Sequence, residues 1–347
     1  MKCLYGNNRL KYLVACTTGA FVLAMFLWSG HIKTYVDVST YHSGVDKQIH
    51  ERTKCDCDDG VNKSKTFKNV EVKATPNDFK VPNIVHYCWY SNMSKEWTFT
   101  QYLSVLSVHR FIKPSMILFQ TNYPPHGYYW NRTVSIPGLT IVKRTPTKKL
   151  FWKRLNFPYE TTACNLDRLL FLNTTGGMVL DTDVIAVRSF DPLRKYSATM
   201  GSQNRRYFYD LCGGIIIAEP GSTFIKLWIN SFIDDYRPDI WAFNSGRQPA
   251  YIGVFRFPES LHIERTSLNL PGWEHTEQIF AQKYDWTNNY AIHLFLRKWK
   301  QHKDYKPIPT EMGVGTANTT FGEIARLVLY GSTDLFKDGA KRPDVVL

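Results

Sequence analysis

The sequence contains no internal repeat and no long low-complexity run, which excludes a solenoid or an extended disordered chain. No nucleic-acid-binding motif accompanies its 43 Lys and Arg against 30 Asp and Glu. The formal charge of +13 is spread over small groups, from Lys143-Arg144 to the Arg297–Lys303 stretch, and reads first as a solvated basic face open to anionic ligands. Cysteine is sparse at seven residues, and the Cys55-Asp56-Cys57 spacing lacks a second pair, which argues against a zinc site. What is present is a chain of 347 residues, 44% apolar and 15% aromatic, long enough to bury one large core or two modest ones.

Lys2, Arg9 and Lys11 precede an apolar run from Tyr12 to Trp28 that extends through Ile32. A membrane-spanning helix needs about 20 residues. The basic flank predicts a cytosolic N-terminus, and "MFLWSGHIK" offers no small-x-small cleavage site. The reading is therefore an uncleaved signal anchor at 12–32 behind a cytosolic tail at 1–11, with a cleaved signal peptide as its rival. The remainder then faces the lumen of the secretory pathway. Five Asn-x-Ser/Thr sequons, at Asn62, Asn92, Asn131, Asn173 and Asn318, agree with that placement. So do five cysteines beyond the anchor, an odd number that leaves one thiol outside any internal pairing.

Residues 33–80 are polar with little periodicity and read as a stem, residues 81–335 as the globular domain, and 336–347 as a tail. "IVHYCW", "SMILFQT", "MVLDTDVIAV" and "CGGIIIAE" read as strands. "TFTQYLSVLSVHRFI", "YETTACNLDRLLFLNTTGG" and "TFIKLWINSFIDDY" read as helices, the second capped by Thr161 or Thr162 and stopped at Gly176. Alternating strands and helices predict an α/β layered fold whose ligands gather at the carboxyl ends of strands.

Asp181 and Asp183 fall at such an end. In an extended strand, residues two apart share a face. Two carboxylates so placed raise each other's pKa unless a cation intervenes. A divalent ion, Mn²⁺ or Mg²⁺, suits oxygen ligands and leaves positions for phosphate oxygens, as in a metal-bridged nucleotide-sugar. Asp183 is the better metal ligand; Asp181 is placed for ribose or sugar hydroxyls and the ion's periphery.

"CNLDRLLFLNTTGGMVLDTDVIAV" resembles the signature of family 32 glycosyltransferases, the sugar-binding region containing a DXD motif. The resemblance spans roughly residues 81–300. It implies a GT-A-like nucleotide-sugar-binding domain with a mixed sheet flanked by helices, behind one N-terminal transmembrane helix. The implied activity is a retaining, type II Golgi membrane enzyme. It would transfer a hexose or N-acetylhexosamine from a UDP-sugar to a glycan or glycolipid acceptor, with manganese at the Asp-x-Asp pair. Asp181 and Asp183 fill the DXD motif, and Arg168 matches the family's arginine one helical turn from Asn165. Trp89, in "IVHYCWYS", matches a tryptophan that stacks on the nucleotide base. His293, in "NNYAIHLFLRKW", matches a histidine that supplies a metal nitrogen, with Phe295 where tryptophan is usual. Two departures stand out. Asn165 replaces an aspartate that contacts the donor sugar, keeping hydrogen-bonding capacity without charge. Cys212 replaces an asparagine.

Two alternatives remain open from sequence. One is a noncatalytic luminal protein that binds nucleotide-sugar or glycan. The other is a phosphohydrolase of the haloacid dehalogenase type, in which Asp181 would be the nucleophile.

Overall fold

The computed structural model describes residues 78–150, 152–155, 160–240, 242–336 and 344–345. The expected tail and anchor at 1–32, most of the stem, Cys55, Cys57 and the sequon at Asn62 lie outside the described residues. So does most of the C-terminal tail. Among the described residues no helix is long and apolar enough to cross a membrane.

A seven-stranded sheet organises the domain. Its strands are β1 (Ile84–Trp89), β2 (Met116–Thr121), β3 (Leu139–Lys143), β6 (Gly177–Leu180), β8 (Ala198–Ser202), β9 (Leu211–Ala218) and β10 (His262–Glu264), in the order β10-β8-β9-β6-β1-β2-β3. Only β9 runs against the others, pairing antiparallel with β6 and β8. The carboxyl ends of six strands, and the start of β9, therefore share one edge. A small hairpin joins β4 (Lys149–Leu150) to β5 (Lys153–Arg154), and a separate two-stranded ribbon joins β7 (Val184–Ala186) to β11 (Ala291–His293).

The strands β1, β6 and β9 are apolar on both faces because helices cover both faces. Met178, Leu180, Ile215 and Ile217 enter one core with α1 (Phe99–Ser107), and the alternate residues Val179, Ile216 and Ala218 enter a second. α2 (Tyr128–Val134) covers the first core through Trp130. α3 (Glu160–Thr175) and α4 (Thr223–Asp234) cover the second. Leu166, Leu169 and Leu172 of α3 are fully buried there, each contributing about 2 kcal/mol. α1 opens with a reciprocal capping box between Thr98 and Gln101. α3 begins at Glu160, ahead of the expected threonine cap, and stops at Gly176, as expected.

The single strand expected over "MVLDTDVIAV" is in fact two. β6 ends at Leu180, the chain turns through Thr182 and Asp183 with the Val184 N–H bonding the Asp181 carbonyl, and β7 starts at Val184. The shared face of Asp181 and Asp183 thus comes from a turn, not from strand alternation. Two carboxylates in mid-strand would compete with buried apolar neighbours, and the turn takes them to the sheet edge.

The glycine turn ahead of β6 is held by a buried histidine. Gly176 and Gly177 have φ of +63° and +111°, and an alanine Cβ at Gly177 would lie 2.6 Å from the Ile84 carbonyl oxygen. His86 Nε2–H donates to the Gly176 carbonyl at 2.9 Å, while its Nδ1 accepts from the Gln120 amide at 3.1 Å. Burial, opposed by the Gly176 hydrogen bond and reinforced by the Arg144 charge, lowers the His86 pKa from 6.5 to about 4. The folded state therefore holds His86 neutral while the unfolded chain takes up a proton. This contribution is complete above pH 6.5 and is lost as pH falls from 6.5 toward 4, at a cost of about 3 kcal/mol. Urea midpoints at pH 7 and pH 4.5 should differ less in His86→Gln than in the parent; an equal difference would refute the assignment.

Candidate active site

Three side chains converge at the carboxyl end of β6. Ligand atoms of Asp181, Asp183 and His293 all lie within 4.8 Å of one another. The β7–β11 ribbon makes this possible. Its register pairs His293 with Val184, which places the imidazole beside Asp183 across 110 residues of chain.

Asp183 is fixed on several sides. Oδ1 lies 3.1 Å from His293 Nε2, Oδ2 accepts the Leu296 N–H at 3.3 Å, and the main-chain carbonyl accepts the Leu294 N–H at 2.9 Å. Phe295 adopts a left-handed φ of +47° at the N-terminus of α5 (Leu296–Trp299) and stacks on the His293 ring at 3.8 Å. Burial alone would raise the Asp183 carboxyl. The His293 charge and the two hydrogen bonds outweigh it and hold the group below the usual carboxylate range. Burial likewise opposes the His293 charge, but Asp183 and the Cys212 sulfur raise its pKa well above the ordinary value.

Asp181 is more open and meets Arg168. The guanidinium reaches Asp181 Oδ1 at 3.2 Å and donates to the carbonyls of Cys164 at 3.0 Å and Gly213 at 2.5 Å. Arg168 thus ties α3 to β9 and to the Asp-x-Asp turn. Asn165, one turn earlier, is half-buried, and its side chain forms no hydrogen bond among the described residues. Trp89 ends β1 half-buried, edge-on to Trp97 at 5.2 Å, with its indole N–H buried and unbonded. Asp167 is buried and accepts from the Tyr90 hydroxyl at 2.7 Å and the Thr147 N–H at 3.1 Å, so it is aimed away from the cluster.

One unpaired thiol was expected, but the cysteine pairing, the place of Cys212 and the space beside the cluster have no local sequence pattern. Cys88 and Cys164 form a disulfide linking β1 to α3, while Cys212 is free and buried with Sγ 3.4 Å from His293 Nδ1. Gly214 leaves the cluster its space: a Cβ there would lie 2.5 Å from His293 Cε1 and 3.3 Å from Asp181 Oδ2. Two carboxylates, one imidazole and a glycine-made hollow fit a small divalent ion such as Mn²⁺ or Mg²⁺.

The fold and this cluster define an α/β protein with a carboxylate–imidazole cluster at the carboxyl edge of its sheet, arranged so that it could hold a cation. Residues 86–200 match the model described as the glycosyltransferase sugar-binding region containing a DXD motif. "Glucan organizing enzyme 1" of Cryptococcus neoformans var. grubii serotype A is 30% identical over 234 residues. That match covers 62% of this chain and 62% of the relative, so the chain spans less than two thirds of the relative's length. Among solved structures, the galactosyltransferase LgtC in complex with donor and acceptor sugar analogs is 13% identical, with a TM-score of 0.37, over 70% of this chain and 95% of its own. The bifunctional glycosyltransferase WbbM is 11% identical, with a TM-score of 0.44, over 75% of this chain and 51% of its own. A phosphohydrolase would need Asp181 as an unencumbered nucleophile at the opening of its domain; here it is ion-paired to Arg168 and follows four strands of the sheet.

The raised His293 pKa has a consequence for metal uptake. The Nε2 proton faces Asp183, and an ion ligated by Nε2 must displace it. Manganese affinity of the full chain should rise by up to about tenfold per pH unit between pH 6 and 8. His293→Ala should bind more weakly and with a flatter slope. Titration calorimetry in buffers of different ionisation enthalpy counts the released proton, and zero proton release would exclude His293 as a ligand.

Proposed function

We propose that this chain is a UDP-sugar-dependent glycosyltransferase with a GT-A-like domain. It transfers a hexose or N-acetylhexosamine, with retention, to a glycan or glycolipid acceptor. The observation that carries this reading is the convergence of Asp181, Asp183 and His293 within a chain whose residues 86–200 match a sugar-binding region. Manganese in this cradle would neutralise the charge that builds on the departing diphosphate.

The chain's own residues divide the work. Asp183 and His293 lock each other in place, so the cradle is preorganised before ligand arrives. Asp181 keeps one oxygen on Arg168, which leaves the other for a ribose or sugar hydroxyl or for the cation. Arg168 holds Asp181 and the Gly213 carbonyl in a fixed relation, so α3, β6 and β9 move together. The unbonded Asn165 amide is available to a donor hydroxyl, and Trp89 lies at the neighbouring strand end as the stacking candidate for the base. No side chain is assigned as a nucleophile; a front-face route with the leaving phosphate as base needs none.

A second reading, a noncatalytic luminal nucleotide-sugar binder, draws on the neutral Asn165 and on Cys212 beside His293. Release of UDP from a panel of UDP-sugars separates the two. The enzyme should release UDP only with manganese, and Asp183→Ala should lower the rate about 100-fold or more, as expected from loss of several kcal/mol of charge stabilisation. Manganese-dependent UDP binding without release would favour the binder.

The proposed location is the Golgi membrane with the domain in the lumen, and exposure orders the sequons. Asn92, Asn131 and Asn318 are exposed, whereas Asn173 is half-buried with its Oδ1 enclosed. Endoglycosidase treatment should shift the mobility of the secretory-pathway protein. Asn→Gln at 92, 131 or 318 should each remove one increment and Asn173→Gln none. A protein without any shift would refute the luminal placement.

A further inference from the structure

The loop between β8 and β9 carries "RRYFYD", residues 205–210, and presents an aromatic surface that the catalytic reading does not use. Tyr207, Phe208 and Tyr209 are 43%, 40% and 42% exposed, and Phe255 is 63% exposed. They form one patch: Tyr209 meets Tyr207 at 5.6 Å, Phe208 at 5.7 Å and Phe255 at 6.0 Å between ring centroids. Contiguous exposed aromatics of this kind mark binding surfaces. Beside them Phe208, Leu261, Ile263 and Arg265 border a hollow of about 270 Å³.

Uncompensated cations surround the patch. Arg205, Arg206 and Arg265 are exposed and form no ion pair among the described residues. The nearby carboxylates are engaged elsewhere: Asp210 with Gln203, Glu264 with His262 and Ser267, and Glu274 with Asn204. Arg265 lies 4.9 Å over Phe208, and Arg205 lies 5.2 Å over Tyr284. A guanidinium resting on a ring is held at low entropic cost, and its donor edge stays available for a planar carboxylate.

The patch also lies at the catalytic edge of the sheet. β8 and β6 point their carboxyl ends to the same edge, and β8 runs on past β6: its last pair is Ser202 with Leu211, that of β6 Leu180 with Ile215, so the 203–210 loop leaves the sheet on the edge where Asp181 lies. Tyr209 is three residues from Cys212, about 10 Å of extended chain, and the Cys212 sulfur touches His293.

We infer that the Tyr207–Tyr209 loop, Phe255 and the arginines beside them form an acceptor subsite for a carboxylate-bearing glycan. Ring faces take the apolar C–H faces of the sugars, and Arg205, Arg206 and Arg265 take their carboxylates. This rests on the glycosyltransferase reading for its role but not for its binding. The location at the catalytic edge favours a glycan over an anionic membrane or a second copy of the chain.

The test measures binding of oligogalacturonide, sialyllactose and neutral malto-oligosaccharide to the full chain, with UDP–manganese binding as a parallel readout. At least one acidic oligosaccharide should bind fivefold or more tighter than the neutral one, and the two acidic probes distinguish uronate from sialate. Tyr209→Ala and Arg265→Gln should each weaken acidic-glycan binding about tenfold while leaving UDP–manganese binding unchanged; Arg206→Gln serves as a second charge variant. Equal affinity for acidic and neutral glycans, with UDP bound normally, would overturn this inference alone. Loss of UDP–manganese binding with acidic-glycan binding intact would overturn the transferase reading and leave the binding surface standing. Arginine-dependent capture by phosphatidylserine vesicles without glycan binding, or dimerisation abolished by Tyr209→Ala, would reassign the patch and overturn the proposal.

Discussion

The contact between Asp183 and His293 is the constraint around which this domain is arranged. Taking a carboxylate and an imidazole out of water costs several kcal/mol each, and mutual attraction offsets that cost only with good geometry and further hydrogen bonds. The surroundings supply both. The Leu296 N–H takes the second carboxylate oxygen, the Phe295 ring covers the imidazole, and Gly214 leaves room where any side chain would collide. The β7–β11 ribbon, only three residues on each side, is the device that brings the pair together. Without it the histidine would have no reason to lie at this edge of the main sheet.

Much of the scaffold was legible because it follows local rules. Short apolar runs marked β1, β2 and β9, and the leucine spacing marked α3 with its glycine stop. The break at Asp181 was not legible, since "MVLDTDVIAV" carries strand-forming residues on both sides and no Gly or Pro between them. The reversed direction of β9 and the ribbon were equally hidden. Both depend on pairing between segments far apart in sequence, and no local periodicity encodes it. For the same reason His293 entered the candidate site through its family segment and not through any pattern of its own.

The cysteines show how one residue type takes two roles in one domain. Cys88–Cys164 closes 76 residues, which in a chain-entropy account stabilises the fold by about 4–5 kcal/mol. It also fixes the end of β1, where Trp89 lies, to the first half of α3, where Asn165 lies. The two residues expected on the donor side are therefore covalently coupled through their neighbours. Cys212 instead stays a thiol within reach of His293 Nδ1. The ring nitrogen facing Asp183 is thus the other one, and each nitrogen of the charged imidazole has an acceptor within reach.

The exchange of aspartate for Asn165 acquires an electrostatic meaning from this geometry. Asp167 cannot restore the missing charge, because it is buried under Tyr90 and bonded to Thr147 on another face of α3. The cluster then holds two carboxylates against Arg168 and a histidine that favours its charged form. A divalent ion approaching such a nearly neutral cluster gains little until the imidazole releases its proton or the ligand contributes negative charge. A diphosphate would do the latter, bringing oxygens suited to an ion held by two carboxylates and one imidazole. Under the proposed function, cation and nucleotide would therefore stabilise one another at this cluster more than the protein alone would stabilise either.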